Sequence, residues 1–315
     1  MADAHVTKHS HASSDQDHGN VHGPLEAGHL IGHVKDATYV ELPRVLGGKI
    51  DLPQPLQTDE PIATIKIGFP PIDDRIESFD LRITKFMVLE VVAALLLIVF
   101  LSRVASKIKR QGVAKGAFSN AIEAMVVFIR DEVAEPAIGH HDARTFMPFL
   151  LTMFFFIVTC NLLGLVPWAG SATGALATTG ALALITFATV VGAGMFKLGP
   201  VGFWTGQVPH MDLPGPLAVL LIPMIFFIEV LGLFIKHFIL AMRLLANMMA
   251  GHLVLSVIMA FIAASATSVA WWGVMPASVL GSVALSLLEL FVAFLQAYIF
   301  TFLSALFIGM AVHPH

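Results

Sequence analysis

Charged residues are scarce in this sequence of 315 residues. Only 13% of them are charged and 57% are hydrophobic, whereas a soluble domain carries about 25% charged residues. The composition therefore excludes an ordinary water-soluble enzyme and favours a protein embedded in a lipid bilayer. The shortage is greatest in the second half of the chain, where the charged residues after Arg144 are Lys197, Asp212, Glu229, Lys236, Arg243 and Glu289.

Cysteine and nucleotide-binding motifs are also missing. The single Cys160 lies in an apolar run, which excludes a disulfide framework and a thiolate metal site. The formal net charge of -4 gives no electrostatic reason to expect a nucleic-acid partner. Because the sequence has no GxxxxGK(S/T) loop, we predict that this chain binds no nucleotide, and no other pattern predicts a cofactor.

The first 80 residues are polar and lack the apolar core of a secretory signal. We interpret residues 1–80 as a largely flexible tail and residues 81–315 as a membrane domain. The tail is rich in histidine, with His5, His9, His11, His18, His22, His29 and His33. Their scattered spacing fits no fixed ligand geometry, so we expect adventitious Ni²⁺ or Zn²⁺ binding at most and predict no metal site.

Five apolar segments are long enough to cross a bilayer core of about 30 Å. They cover residues 86–101, 146–166, 173–196, 217–263 and 277–310. As a single helix the fourth would be about 70 Å long at 1.5 Å per residue, so it must be broken or steeply tilted. The fifth is also overlong. We therefore predict an all-α membrane protein whose last two helices form a steeply tilted hairpin.

A milder segment, Ser119 to Ala134, has apolar residues at helical spacing with charges among them. This pattern predicts one amphipathic helix on the membrane surface. Basic residues set the orientation: seven Lys and Arg lie between Arg103 and Arg144, one lies in the 197–216 loop, and none lies in the 167–172 or 264–276 loops. By the excess of basic residues on the inner side, five crossings place the amino terminus outside and the carboxyl terminus inside.

Arg243 is the charge that fits its surroundings least. Placing an ionised side chain at mid-bilayer costs from about 3 to more than 10 kcal/mol, so such residues are treated as functional unless they reach the interface. No acidic residue lies within two helical turns of Arg243 on either side in the sequence. Its counter-charge must therefore come from another element or another polypeptide.

Other polar residues repeat along the same two long segments. Glu229, Lys236 and Arg243 recur every seven residues and drift only about 40° around a helix, and Asn247 returns to the direction of Glu229. These residues form one polar stripe. Nine residues after Arg243, His252 points roughly to the opposite side, and on the last helix Glu289 and Gln296 share a face.

Each of these residues also has a purely structural interpretation. Asn247 and Gln296 are suited to interhelical hydrogen bonds, and Lys236 can snorkel or pair with Glu229. His252 alone fits a core position, but with Glu289 we favour a titrating pair. A helix contact needs no permanent charge, so Arg243 is interpreted as functional. Lys236 and Asn161, which lies inside the second span, are each either structural residues or part of a path through the membrane.

Four sequence motifs resemble a known family, subunit a of the membrane sector of F-type ATP synthases. The central one is RLLANMMAGH at 243–252, and the others are TCNLLGLVPW at 159–168, FLQAYIFTFLSALFIGMA at 294–311 and IEA at 122–124. They occur in the family's order and cover about residues 80–312. One departure is Gly164, where some members carry an acidic residue.

The resemblance implies a role for each polar residue. Arg243 would face the carboxylates of the rotating c-ring, with Asn247 and Gln296 as its polar neighbours. His252 and Glu289 would line the inlet from the outer side, and Glu229 the opening to the inner side. The chain would be a non-catalytic, proton-conducting stator subunit.

The resemblance also implies partners and a location. The partners would be the c-ring, the peripheral-stalk b subunits, the remaining ATP synthase and the lipid bilayer. The bacterial inner membrane is the expected location, with an energy-transducing organelle membrane as the alternative. A stand-alone ion channel or secondary transporter is the rival interpretation, although the sequence has no inverted repeat of hydrophobic segments, and a non-conducting scaffold is another.

Overall fold

A computed structural model describes residues 39–41, 49–51, 84–111, 116–166, 170–207 and 215–313. Within the predicted tail, strand β1 (Tyr39–Glu41) pairs antiparallel with β2 (Lys49–Asp51). The other residues of the tail, including all seven of its histidines, lie outside the described residues. The division into tail and membrane domain therefore stays a prediction.

Eight α-helices form the rest of the described chain. They are α1 (Lys85–Gln111), α2 (Ala117–Phe128), α3 (Glu135–Ile138), α4 (His140–Gly164), α5 (Leu176–Leu198), α6 (Pro200–Thr205), α7 (Gly215–Ser265) and α8 (Trp271–Val312). A π-helical turn (Ile129–Ala134) joins α2 to α3, and a 3₁₀ turn (Ala172–Gly174) precedes α5. Helices suit a bilayer because they satisfy their backbone polar groups internally.

Five of these helices, α1, α4, α5, α7 and α8, are long and apolar enough to cross a membrane. The prediction of an all-α, multi-span membrane fold is confirmed, with β1 and β2 as the only strands in the described residues. Helices α4 and α8 begin six residues before their predicted starts, at His140 and Trp271. The chain is an integral membrane protein that crosses the bilayer several times.

The predicted surface segment is continuous from α2 through the π-helical turn to α3. Four of its apolar side chains, Ile129, Val133, Ala134 and Ile138, are buried against the bundle, whereas Val127 and Phe128 are exposed. On its outer side, Arg130 Nε donates a hydrogen bond of 2.6 Å to Asp131 Oδ1. This bond lowers the pKa of the exposed Asp131 carboxyl. The segment therefore has the two faces of an amphipathic helix.

The overlong apolar stretch is one unbroken helix. Helix α7 has 51 residues, about 76 Å at 1.5 Å per residue, and the 42 residues of α8 extend about 63 Å. Of the two alternatives that its length left open, a break does not occur, because α7 is continuous. The two helices are joined by a short turn and pack against each other. Because each is about twice the core thickness of roughly 30 Å, a bilayer requires both to tilt or to project from it.

The core lies where α8 crosses the other spanning helices. Helix α8 packs against α4, α5, α7 and α3, while α1 packs on α4. Glycine permits the closest contact: a Cβ at Gly309 of α8 would overlap the backbone carbonyl oxygen of Ala137 in α3. The surface segment is thus held directly against the last spanning helix.

Candidate functional site

Arg243 lies on α7 and points away from the bundle. Its neighbours Leu240 and Leu244 are 2% and 1% exposed, whereas the Arg243 side chain is exposed. Beside it, the apolar side chains of Ile239 and Met242 are also exposed. Within the described residues the guanidinium makes no hydrogen bond or ion pair. A permanent cation on an apolar surface requires an anionic partner from elsewhere.

Glu229 and Lys236 lie together on the same helix. Lys236 Nζ is 3.8 Å from Glu229 Oε1, and both side chains are more than 40% exposed. The seven-residue spacing thus brings the two charges to the same side of α7. At this distance they attract each other without a direct hydrogen bond, so each can still interact with water or another partner.

Asn247 and Gln296 occupy half-buried positions on α7 and α8. Neither side chain makes a hydrogen bond to any other residue in the part of the chain that the structure describes. The structure therefore gives no contact that would assign them to helix association. Their amide groups remain free to bind water or a partner.

His252 and Glu289 are neighbours across the α7–α8 contact. The Nε2 atom of His252 donates a hydrogen bond of 3.1 Å to the carbonyl oxygen of Gly164, at the end of α4. The Glu289 carboxylate packs onto Gly251, where an added Cβ would overlap one of its oxygens. His252 directly follows Gly251 on α7, but no N–O distance within 4.0 Å joins the Glu289 and His252 side chains. The predicted pair is therefore close without being bonded.

One nitrogen of His252 remains available. Its Nδ1 atom is buried and has no hydrogen-bond partner among the described residues. A buried polar atom without a partner is costly unless water or a ligand satisfies it. Since Nε2 donates its hydrogen to Gly164, Nδ1 of the neutral ring carries a lone pair that can accept a hydrogen bond.

A buried polar network lies at the same end of the bundle. Asn161 Nδ2 donates to the Ala293 carbonyl oxygen at 3.2 Å, and Thr173 Oγ1 donates to Asn161 Oδ1 at 2.8 Å. Ser171 Oγ lies 2.9 Å from Thr173 Oγ1 and packs against Gly164. Asn161 thus links α4, the 3₁₀ turn and α8, which is the geometry of a structural tie.

Comparison with known proteins places this arrangement in a family. A sequence profile described as "ATP synthase A chain" matches residues 87–309. The chain belongs to the ATP synthase subunit a family. It is 46% identical to ATP synthase subunit a of Myxococcus xanthus, over 75% of this chain and 76% of that one. It is 41% identical to that of Chloroherpeton thalassium, over 74% of this chain and 68% of that one.

A third relative extends the match into the tail. ATP synthase subunit a of Anaeromyxobacter dehalogenans is 37% identical over 97% of this chain and 77% of its own length. The resemblance carried by the RLLANMMAGH motif is therefore confirmed. As a member of this family, the chain is a membrane subunit of an F-type ATP synthase and associates with the rest of that complex.

The sequence interpretation missed an acidic group in the first spanning helix of this subunit. Glu90 lies on α1 and is half-buried. Its Oε1 atom accepts a hydrogen bond of 2.5 Å from Thr178 Oγ1 on α5. The available sequence signal was an acidic residue inside the apolar run FMVLEVVAALLLIVFL. Like Arg243, such a residue is costly to place in a membrane segment.

His237 was missed as well. It is 4% exposed and lies between the rings of Phe187 on α5 and Phe307 on α8. The Nδ1 atom lies 2.8 Å from the carbonyl oxygen of Leu233, so Nδ1 carries the donated hydrogen. Nε2 is buried without a partner in the described chain. The available sequence signal was a histidine next to the charged Lys236 in an apolar stretch.

At the opposite end of the bundle, three helix ends meet at one carboxylate. The carboxylate of Asp142, in the first turn of α4, forms an ion pair with Lys197 Nζ at the end of α5. His313, just after α8, places Nε2 at 3.1 Å from the same Asp142 oxygen. This polar cluster lies at the opposite end of α4 from Gly164, which His252 contacts.

Proposed function

We propose that this chain is the proton-conducting stator subunit of a rotary F-type ATP synthase, with two offset half-channels separated by Arg243. The observation that carries the proposal is the exposed guanidinium on an apolar face of α7, which has no partner among the described residues. A ring of c-subunits that presents carboxylates to this face would supply the missing anion. Each carboxylate would meet Arg243 in turn.

Arg243 would keep the two half-channels apart. A continuous water path would only leak protons, so useful transport needs two paths that do not meet. The guanidinium repels a hydrated proton and favours the ionised form of a passing carboxylate, which releases its proton. After the carboxylate moves on and is protonated again, it can enter lipid as a neutral group. Each proton that crosses 100 mV supplies about 2.3 kcal/mol.

The two paths would open on either side of Arg243 along α7. His252 and Glu289 would form the outer inlet, which the unpartnered Nδ1 atom of His252 supports. Glu229 would line the inner opening, with Lys236 beside it. Asn247 and Gln296 would be the polar neighbours of Arg243, and their free amides suit that position. Asn161 would hold the helices in place around the inlet.

The distribution of basic residues supports the orientation. The stretch from Arg103 to Arg144, which includes the end of α1 and the start of α4 and holds seven Lys and Arg, would face the inside, with the amino terminus outside and the carboxyl terminus inside. The inner membrane of a bacterium is the proposed location, since the relatives compared are bacterial. The c-ring and the peripheral-stalk b subunits are the proposed contacts within the complex. The chain itself would hold no catalytic site.

The decisive experiment replaces Arg243 in the assembled complex. We expect Arg243→Ala to abolish ATP synthesis driven by a pH gradient in reconstituted vesicles, while the complex still assembles. Arg243→Lys keeps the charge but loses the planar, delocalised cation and should recover little activity. Arg130→Ala is the matched control, because that arginine is exposed and paired with Asp131 on the surface segment.

Two outcomes would overturn the proposal. Normal synthesis by Arg243→Ala would show that the arginine does not separate the half-channels, as a scaffold role predicts. Ion flux by the isolated chain at the rate of the whole complex would favour a stand-alone channel or transporter. Measuring synthesis with and without sodium ions tests the driving ion, and a sodium requirement would contradict proton conduction.

A further inference from the structure

The first spanning helix carries an ionisable group that the proposed proton path does not use. Glu90 is five residues from the start of α1, about 7.5 Å along the helix axis. It is at the end of the bundle where α4 ends and α5 begins, which is also the end of His252 and Glu289. An acid inside a membrane helix is costly unless it faces a partner, water or an ion path.

The Glu90 carboxylate lies where three spanning helices meet. Thr178, 7% exposed on α5, donates its hydrogen bond to it, and α1, which carries Glu90, packs on α4. Glu90 makes no ion pair with any described residue. The nearest cationic residue in sequence, Lys85 at the start of α1, is buried and approaches Gly170. The carboxylate therefore has a hydrogen-bond donor but no described counter-charge.

A polar network towards the inlet pair lies on α4 and the 3₁₀ turn, both of which pack against α1. The Asn161 side chain bonds to Thr173, and Thr173 bonds to Ser171. Ser171 packs on Gly164, and the carbonyl oxygen of Gly164 holds His252. In an otherwise apolar bundle, hydroxyl, amide and carbonyl groups thus lie between the α1 side and the α7–α8 side. Such groups are the partners that bridging waters need.

From this arrangement we infer that Glu90 is a further proton-path residue, which collects protons at the outer mouth and passes them towards His252 and Glu289. The inference rests on the proposed function. A carboxylate at the mouth of a path raises the local proton concentration and can bind and release each proton. The α1–α4–α5 contact would then be one wall of the inlet rather than a passive helix contact.

The competing role is structural, because the Thr178 bond also ties α1 to α5. Two nearly isosteric substitutions distinguish a proton-path role of Glu90 from a structural role. Glu90→Gln keeps an oxygen that can accept the Thr178 bond but removes the charge. Thr178→Val removes the bond but keeps the carboxylate. Glu123→Gln, an exposed acid on the surface segment, is the control for loss of one negative charge.

The test uses the whole complex reconstituted with its catalytic sector outward, so that the vesicle lumen is the inlet side. Initial rates of ATP synthesis are measured at several lumen pH values with a constant pH difference and membrane potential. We expect Glu90→Gln to lower the rate about tenfold at lumen pH 8, the low end of the gain from a charge-lined cleft, and much less at pH 6. Glu90→Asp, Thr178→Val and Glu123→Gln should stay within about twofold of the unmodified complex at both pH values.

Distinct results would overturn this inference. Wild-type rates for Glu90→Gln at every pH would remove Glu90 from the path. An equal, pH-independent loss in Glu90→Gln and Thr178→Val would establish a structural tie instead. If Glu90→Gln does not assemble, Glu90→Asp decides: normal rates at pH 8 support proton collection, and a uniform loss refutes it. Arg243→Ala, measured in parallel, separates failure of this inference from failure of the proposed function.

Discussion

Gly251 packs against the Glu289 carboxylate, and its replacement tests the proposed inlet directly. In Gly251→Ala, the new Cβ would lie 3.0 Å from Glu289 Cδ and 3.2 Å from Cγ, and it would overlap one carboxylate oxygen. Restoring an ordinary contact of about 3.5 Å requires the carboxylate to move by roughly 1 Å. The side chain would thereby change its position relative to His252.

The size of the effect follows from that displacement. A misplacement of about 1 Å in a reacting group can cost up to about 100-fold in rate. We expect Gly251→Ala to slow pH-gradient-driven ATP synthesis by about tenfold to hundredfold, which corresponds to about 1.4 to 2.7 kcal/mol in activation free energy. Within a helix, alanine is otherwise favoured over glycine by about 1 kcal/mol. A loss of activity would therefore not come from a weaker helix.

The assay compares two glycines at the same helix contact. Gly281 on α8 faces α7, but an added Cβ there would have only Ile258 nearby, at 3.9 Å. Gly281→Ala should therefore leave synthesis unchanged. In a Glu289→Asp background the shorter side chain avoids the new methyl group, so Gly251→Ala should cost much less. Equal losses in both backgrounds, or equal effects of the two alanines, would refute the positioning argument.

Three further predictions concern the His252 and Glu289 pair, the tail, and the contact of α8 with the surface segment. We expect His252→Ala and Glu289→Ala each to slow proton flow, and exchange of the two residues to restore part of it; additive losses in a double-mutant cycle would remove the pair. Truncation before about residue 40 should leave transport intact, and a loss of coupled synthesis would contradict a dispensable tail. Gly309→Ala should lower the thermal stability of the purified complex by about 1 to 3 kcal/mol through overpacking, whereas Gly180→Ala, which meets open space, should not; equal melting temperatures would contradict the close contact.

The hydrophobic segments predicted the spanning helices because a helix that crosses lipid must be apolar along most of its length. It placed their ends less well, since a helix continues beyond its apolar run wherever polar end groups find partners. Helix α4 starts at His140 rather than 146, and its first turn includes Asp142, which Lys197 and His313 contact. These partners are distant in sequence, so no local pattern could have indicated where α4 begins.

The site residues also divide into those that the local sequence predicts and those that depend on contacts between distant elements. Arg243 was predictable because its charge contradicts its local sequence. The tie of Asn161 to Thr173 and Ala293 depends on three elements meeting, which only the fold reveals. Heptad spacing predicted the proximity of Glu229 and Lys236, because both lie on one helix. The approach of Glu289 to Gly251 depends instead on how two helices pack, and spacing within either helix carries no information about it.

The continuity of α7 has a mechanical consequence. Glu229 and His252 belong to the same uninterrupted hydrogen-bonded rod and lie about 35 Å apart along it. Their separation and relative angle are therefore fixed by helical geometry rather than by loops. Inserting a single residue between Lys236 and Arg243 would rotate everything beyond it by about 100°. That one-residue change would move the arginine off its face and would also turn His252 away from its Gly164 contact, while Glu229 would stay in place.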